Sequence, residues 1–207
     1  MSGGKDYYDG YWRANGQASP MTDPLTGQRV RRFLEVTNGA QRVLDLGCGH
    51  GGVARLLVSK TSWVIGMDIS DRPLLEARKS CPSADFLQGA CDAPLPFAQD
   101  SFDAVYCAEV IEHLLHPAAM IAECHRVLRR SGTLFITTPY HGLIKNIAIA
   151  LKGFEKHFDA TGPHIRFFTR RSLSALLREN GFVVQRTWYL GRFWPVWMNM
   201  AVSAVKI

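Results

Sequence analysis

The chain has 207 residues, 47% of them hydrophobic and 20% charged, which is the composition of an ordinary globular protein and excludes a disordered or low-complexity one. Residues 1–13 hold no apolar core of the kind a secretory signal carries. The longest apolar stretches, Ile147–Leu151 and Met200–Val205, are far short of the roughly 20 residues that a membrane span needs. The five cysteines are odd in number and form no C-x-x-C pair. That argues against a disulfide framework or a thiolate zinc site and predicts a soluble chain in a reducing, cytoplasmic setting. The net charge is +6, and ten Lys/Arg against three Asp/Glu lie after Thr138, so the basic surplus belongs to the last third. Such a field attracts anionic substrates, nucleic acid or acidic lipid, unless it is only a solvated face.

In chain order, Arg42–Leu46 (RVLDL) is a short apolar run ending in glycines and predicts a buried strand. Gly51–Lys60 predicts a helix, Trp63–Met67 a second strand, and Ser70 an N-cap for a helix through Arg78. Strands at Asp85–Leu87 and Phe102–Cys107 come next. Helices follow at Glu109–Leu114 and Pro117–Arg129, the second with proline in its first turn. Gly132–Thr137 predicts the fifth strand, Arg170–Glu179 a helix stopped by Gly181, and Phe182–Leu190 and Ala201–Lys206 the last two strands. Alternation of this kind predicts an α/β, doubly wound parallel sheet covered on both faces, with ligands at the carboxyl ends of the strands. The chain reads as one domain: 1–38 an N-terminal lid or helix, 40–138 a cofactor-binding core, 139–169 a substrate-cover insertion, and 170–207 the closing helix and strands.

The first strand ends in Asp45-Leu46-Gly47-Cys48-Gly49-His50-Gly51-Gly52. Gly47, Gly49 and Gly52 fit the spacing G-x-G-x-x-G, and Asp68 ends the second strand where a ribose-binding acid belongs. Glycine spacing alone fits nicotinamide and other adenosyl cofactors equally. Asp45 breaks the tie, because a carboxylate there would repel a pyrophosphate and suits a ligand carrying an ammonium and a sulfonium. The segment Val43–Gly52 with Ile65–Asp68, Gly89–Phe97, Ser101–Asp103, Glu109–Leu114 and Leu128–Pro139 resembles the S-adenosylmethionine (SAM) site of class I methyltransferases, in the right order over residues 40–140. The resemblance implies a Rossmann-like seven-stranded, mostly parallel sheet with the last strand antiparallel. It implies that Asp45, Gly47, Cys48 and Gly49 hold the methionine part of SAM and that Asp68 and Ile69 meet the ribose. Cys91 and Asp92 would border the adenine, with Cys107 and Ala108 under the methionine end. One position departs: Ala90 stands where the family often has Asp, which puts the adenine contact of Asp92 in question.

Glu109, Glu112 and His113 are spaced i, i+3, i+4, which on a helix puts all three on one face. Two carboxylates and an imidazole make a mixed site suited to Mn, Fe or Zn, and less naturally Mg. His164, in GPHIRFFT, is the candidate distal ligand. The arrangement resembles two families. In ubiquinone-pathway O-methyltransferases an E-x-x-E-H helix is followed by a His before the last helix. In small-RNA 3′-end 2′-O-methyltransferases the same pattern binds a divalent metal. Without a metal, His113 would act as a general base or orienting residue, with Glu112 and His164 the other catalytic candidates.

The remaining segments choose the substrate. Tyr7, Tyr8, Tyr11 and Trp12 would form a lid over SAM or an arm packed on the core. Leu143, Ile144, Ile147, Ala148, Leu151 and Phe154 form a helical apolar stripe beside Lys145, Lys152 and Lys156. That stripe suits either a hydrophobic substrate at an anionic membrane surface or a core-packed helix closing the pocket. Phe193–Trp197 would be a second wall. The expected function is SAM-dependent O-methylation of a small apolar or lipid-like hydroxylated compound. The rivals are a metal-dependent RNA 2′-O-methyltransferase, disfavoured by the lack of a separate RNA-binding domain, and a non-catalytic SAM-binding partner protein.

Overall fold

The computed structural model describes residues 5, 8–10, 24–158 and 162–207. In chain order the elements are α1 (Thr26–Val36), β1 (Arg42–Leu46), α2 (Gly52–Leu57), β2 (Trp63–Asp68), α3 (Asp71–Ser80), β3 (Asp85–Gln88) and β4 (Phe102–Ala108). After a single 3₁₀ turn (Ile111–His113) come α4 (Pro117–Val127), β5 (Leu128–Pro139), α5 (Leu143–Lys152), α6 (Phe154–His157), α7 (Arg170–Glu179), β6 (Phe182–Leu190) and β7 (Asn199–Lys206). The seven strands form one sheet in the order β3-β2-β1-β4-β5-β7-β6. All pairings are parallel except those of β7, which runs antiparallel between β5 and β6. The α/β, Rossmann-like sheet with its last strand antiparallel is therefore present.

Strand periodicity divides the core. In β4 the side chains of Ala104 and Tyr106 face the layer of α1, α2 and α3, while Val105 and Cys107 face that of α4 and α7. In β1, Val43 takes the first side and Leu44 and Leu46 the second. Helix α1 is anchored by Phe33, fully buried and edge-on to Tyr106 and Phe135 with ring centroids 5.2 and 5.7 Å apart; such a ring contributes roughly 1.5–3 kcal/mol through burial. Helix α7 begins with a reciprocal cap between Thr169 and Ser172. Strand order reverses between β1 and β4, so the crevice for a ligand opens at the carboxyl ends of those strands.

Three expectations are corrected. The helix from Gly51 stops at Leu57 and does not reach Lys60. Ser70 sits at the N-cap of α3, but its hydroxyl donates to Asp9 and does not cap the helix. The predicted helix Glu109–Leu114 is only the 3₁₀ turn Ile111–His113. Glu109 has a left-handed backbone, φ 56°, and its N–H donates to the Thr137 carbonyl, 3.0 Å. That bond ties it to the end of β5, and the few residues before Pro117 cannot offset the cost of nucleating an α-helix.

Candidate active site

The glycine turn after β1 is fastened to β2 through two amides, Gly47 N–H and Cys48 N–H, which donate to the Met67 carbonyl at 2.7 and 3.1 Å. Gly47 has φ +75°, and a β-carbon there would lie 2.2 Å from a methyl of Val110; only glycine fits both demands. Asp68 ends β2 with each oxygen engaged: Oδ2 accepts from Gly49 N–H at 2.9 Å and Oδ1 from Ser70 N–H at 3.0 Å. Burial still raises its pKa against the pull of those amides. Asp45 is 2% exposed. Burial first, then the Asp68 charge, lifts its carboxyl to about 7, and its Oδ2 has no hydrogen-bond partner among the described residues. A buried carboxylate with an open lone pair is the acceptor an ammonium group requires.

These groups line a cavity of about 450 Å³. Asp45, Gly47, Cys48, Gly49, Asp68 and Ile69 form one part of its wall, and Cys91, Asp92 and Ala108 another. Cys107 does not reach it: the thiol is fully buried in the opposite core layer, while its neighbours Tyr106 and Ala108 face the cavity. This corrects the expectation for Cys107, and the cause is the two-residue period of β4. Burial pushes the Cys48 and Cys91 thiols up, so they meet a ligand as neutral, apolar surface.

The same cavity continues to His113, Leu114, Pro163 and His164. His113 Nδ1 lies 2.8 Å from the Pro163 carbonyl. A carbonyl only accepts, so Nδ1 carries the proton and Nε2 keeps its lone pair. The His113 and His164 rings lie 4.9 Å apart, and His113 Nε2 is 3.9 Å from Glu112 Oε1. One ligand-capable atom each from Glu112, His113 and His164 falls within 4.8 Å of the others. The Glu112 carboxylate is fully buried, and neither oxygen makes a hydrogen bond of ordinary geometry among the described residues. Burial, then the charge of Glu109, pushes its pKa well up, against the Thr138 hydroxyl and Arg29. An acid so placed calls for a proton or a cation. Carboxylate and imidazole donors with open positions suit a borderline divalent ion.

Glu109 does not join that cluster. Its Oε1 accepts from Thr137 Oγ1 at 2.9 Å and its Oε2 from Asn199 Nδ2 at 2.8 Å, with the Arg29 guanidinium 3.4 Å away. The expected set of four metal ligands, three on one helical face with His164 distal, thus becomes the three Glu112, His113 and His164, because the chain is turned at Glu109 and its carboxylate is held by α1, β5 and β7. Arg29 and Asn199 were missed in the sequence, as was Thr26, which lines the cavity with Arg29. Tyr8 stands at the cavity, its ring edge-on to His113 at 6.0 Å. Tyr7, Tyr11 and Trp12 lie outside the described residues, as does the Lys156 side chain.

Residues 44–136 match a methyltransferase domain family. The chain is 29% identical over 160 residues to a ubiquinone biosynthesis O-methyltransferase of Vibrio cholerae, over 73% of this chain and 64% of the relative; it thus spans just under two thirds of that relative's length. A protein of the same description from Aliivibrio fischeri is 28% identical over 187 residues, 84% of this chain and 78% of the relative. Among solved structures, a Pyrococcus horikoshii protein superposes with TM-score 0.75 at 19% identity, over 95% of this chain and 98% of its own. The magnesium protoporphyrin IX methyltransferase of Synechocystis, solved with bound SAH, superposes with TM-score 0.69 at 21% identity, over 88% and 82%.

Proposed function

We propose that this chain is a SAM-dependent methyltransferase and that it methylates a hydroxyl oxygen of a small, apolar or lipid-like substrate. Glu112, His113 and His164 are the reactive groups in this reading. The observation that carries it is the single cavity, which joins the Asp45/Asp68 glycine turn to His113 and His164. SAM supplies an electrophilic methyl group on a sulfonium, whose leaving group is already activated, so the protein's main task is alignment. Asp45, Gly47 and Gly49 would hold the amino-acid end and Asp68 the ribose hydroxyls, with Cys91 and Asp92 beside the adenine. Ala108 would lie under the methionine end.

A neutral alcohol or phenol is a poor nucleophile and has to lose its proton. The fixed Nδ1–H···O=C bond of His113 aims a free lone pair at the cluster. The unsatisfied Glu112 carboxylate favours a divalent ion on Glu112, His113 and His164, which would lower the pKa of a bound hydroxyl. His113 and Glu112 would hold such an ion from the buried side, and His164, the exposed member, would hold it from the side open to substrate.

The preference for an apolar acceptor rests on α5. None of its side chains is buried, and Leu143 and Leu151 are 76% and 79% exposed. Phe193 and Trp194, in the β6–β7 connection, are exposed as well, and Lys152 is exposed at the end of α5. This is an apolar surface with basic flanks, suited to peripheral contact with an anionic membrane that carries the substrate. The test uses methyl-labelled SAM in a cell extract, with and without a chelator, followed by separation into lipid, water-soluble and RNA fractions. Chelator-sensitive label in the lipid fraction is the expected result. Label in RNA supports the nucleic-acid rival, chelator-insensitive label supports a metal-free His113 base, and absence of label with intact SAM binding supports a non-catalytic role.

A further inference from the structure

Two segments far apart in sequence meet to build the reactive cluster, and three of the five bonds that join them come from one residue, Arg166. The turn that carries Glu112 and His113 is short and 3₁₀, with no helix to hold it. His164 is on a loop and exposed. The Glu112 carbonyl accepts from both Ile165 N–H and Arg166 N–H, each at 3.1 Å, and the His113 ring donates to Pro163. The Arg166 guanidinium adds two more bonds, Nε–H to the Leu114 carbonyl at 2.8 Å and Nη2–H to the Leu115 carbonyl. A planar guanidinium bridges two adjacent carbonyls in a fixed direction, which an ammonium cannot do. The Arg166 side chain does not line the cavity, and its guanidinium bonds no side chain of the cluster; its partners are the carbonyls of the two residues that follow His113.

We propose that Arg166 is the positioning residue that locks the 163–166 segment onto the 111–115 turn and so sets His164 against His113 and Glu112. The inference rests on the reading of Glu112, His113 and His164 as the reactive cluster. Without the guanidinium, the single shared acceptor at Glu112 and the Pro163 contact are left to hold a loop against a turn that has no regular structure to stiffen it.

The test compares the full chain with Arg166→Ala, Arg166→Lys and His164→Ala, read by amide hydrogen exchange at Ile165 and by cobalt(II) binding followed through its visible absorption. Arg166→Ala is expected to speed exchange at Ile165 by about tenfold or more while β4 and β5 amides keep their protection. It should weaken cobalt binding about 10- to 100-fold, as loss of an outer orienting group does. Arg166→Lys should fall between, since one ammonium can reach only one carbonyl well. His164→Ala should lose cobalt binding and leave Ile165 exchange unchanged. Ile165 exchange that is unaltered in Arg166→Ala overturns the proposal, and if that variant does not fold, unaltered exchange in Arg166→Lys does the same. A wild-type chain that binds no cobalt overturns the metal reading alone, and the exchange arm still decides the role of Arg166.

Discussion

Asp45 and Asp68 are two carboxylates in one small, mostly apolar pocket, and their neighbours separate their roles. Asp68 is held by two amides and stays aimed at the turn it organises. Asp45 keeps an open oxygen and a pKa near 7, against an ordinary 3.8. A folded-state pKa raised this way means that the free protein holds the proton up to about pH 7, where the unfolded chain has already released it. The group's contribution to stability is therefore fully present below about pH 4 and is lost as pH rises through 7. A bound ammonium needs the ionised form. SAM affinity, measured by calorimetry, should then fall by about tenfold per pH unit below pH 7. Asp45→Asn should bind more weakly at pH 8 and show no such slope; an unchanged slope would mean that another group titrates.

At the scale of elements, the glycine turn and the Glu109 turn are fitted to each other. Gly47→Ala would force a β-carbon against Val110 at a backbone angle that costs about 1–3 kcal/mol for non-glycine residues. It should lower the melting temperature and abolish SAM binding together. A variant that melts lower but binds normally would show that the turn tolerates the shift. Helix α5 makes a separate prediction. Leu143→Ser with Leu151→Ser should reduce co-sedimentation with anionic vesicles several-fold, each lost side chain removing about 1.5–3 kcal/mol of apolar burial at most, while leaving SAM affinity unchanged. Equal sedimentation of variant and wild type would remove α5 from the membrane contact.

The same elements show what was legible in the chain. The strands were, because buried parallel strands are continuous apolar runs ended by glycine or aspartate, as at Arg42–Leu46 and Trp63–Asp68. The helix at Glu109 was not. The i, i+3, i+4 spacing is the same whether or not the first residue takes φ +56°, and the cause of that angle is a contact with Thr137, 28 residues on. Arg29 and Asn199, 170 residues apart, carry no local signal that they share a carboxylate. The side that Cys107 takes follows from the register: with Asp45 and Tyr106 paired across β1 and β4, the two-residue period puts Ala108 on the cavity side and Cys107 away from it.

At the scale of the whole molecule, two core layers fix the sheet, and the strand reversal between β1 and β4 leaves one crevice at its carboxyl edge. In the proposed reaction, the methyl-donor half of that crevice is built by β1, β2 and their turns. The acceptor half in that reading is built by the Glu109–Leu114 loop and the segment before α7, so substrate choice would vary without disturbing the cofactor pocket. The central claim is that both halves serve one reaction, with His113 at the junction. It is tested most directly by following labelled methyl transfer into the lipid fraction alongside SAM affinity, in wild type and in His113→Ala. Transfer is expected to fall by about 10²–10⁴-fold in the variant while the SAM dissociation constant stays within about threefold, since the proposed cofactor holders are on other strands. Transfer that persists at wild-type rate in His113→Ala would contradict it.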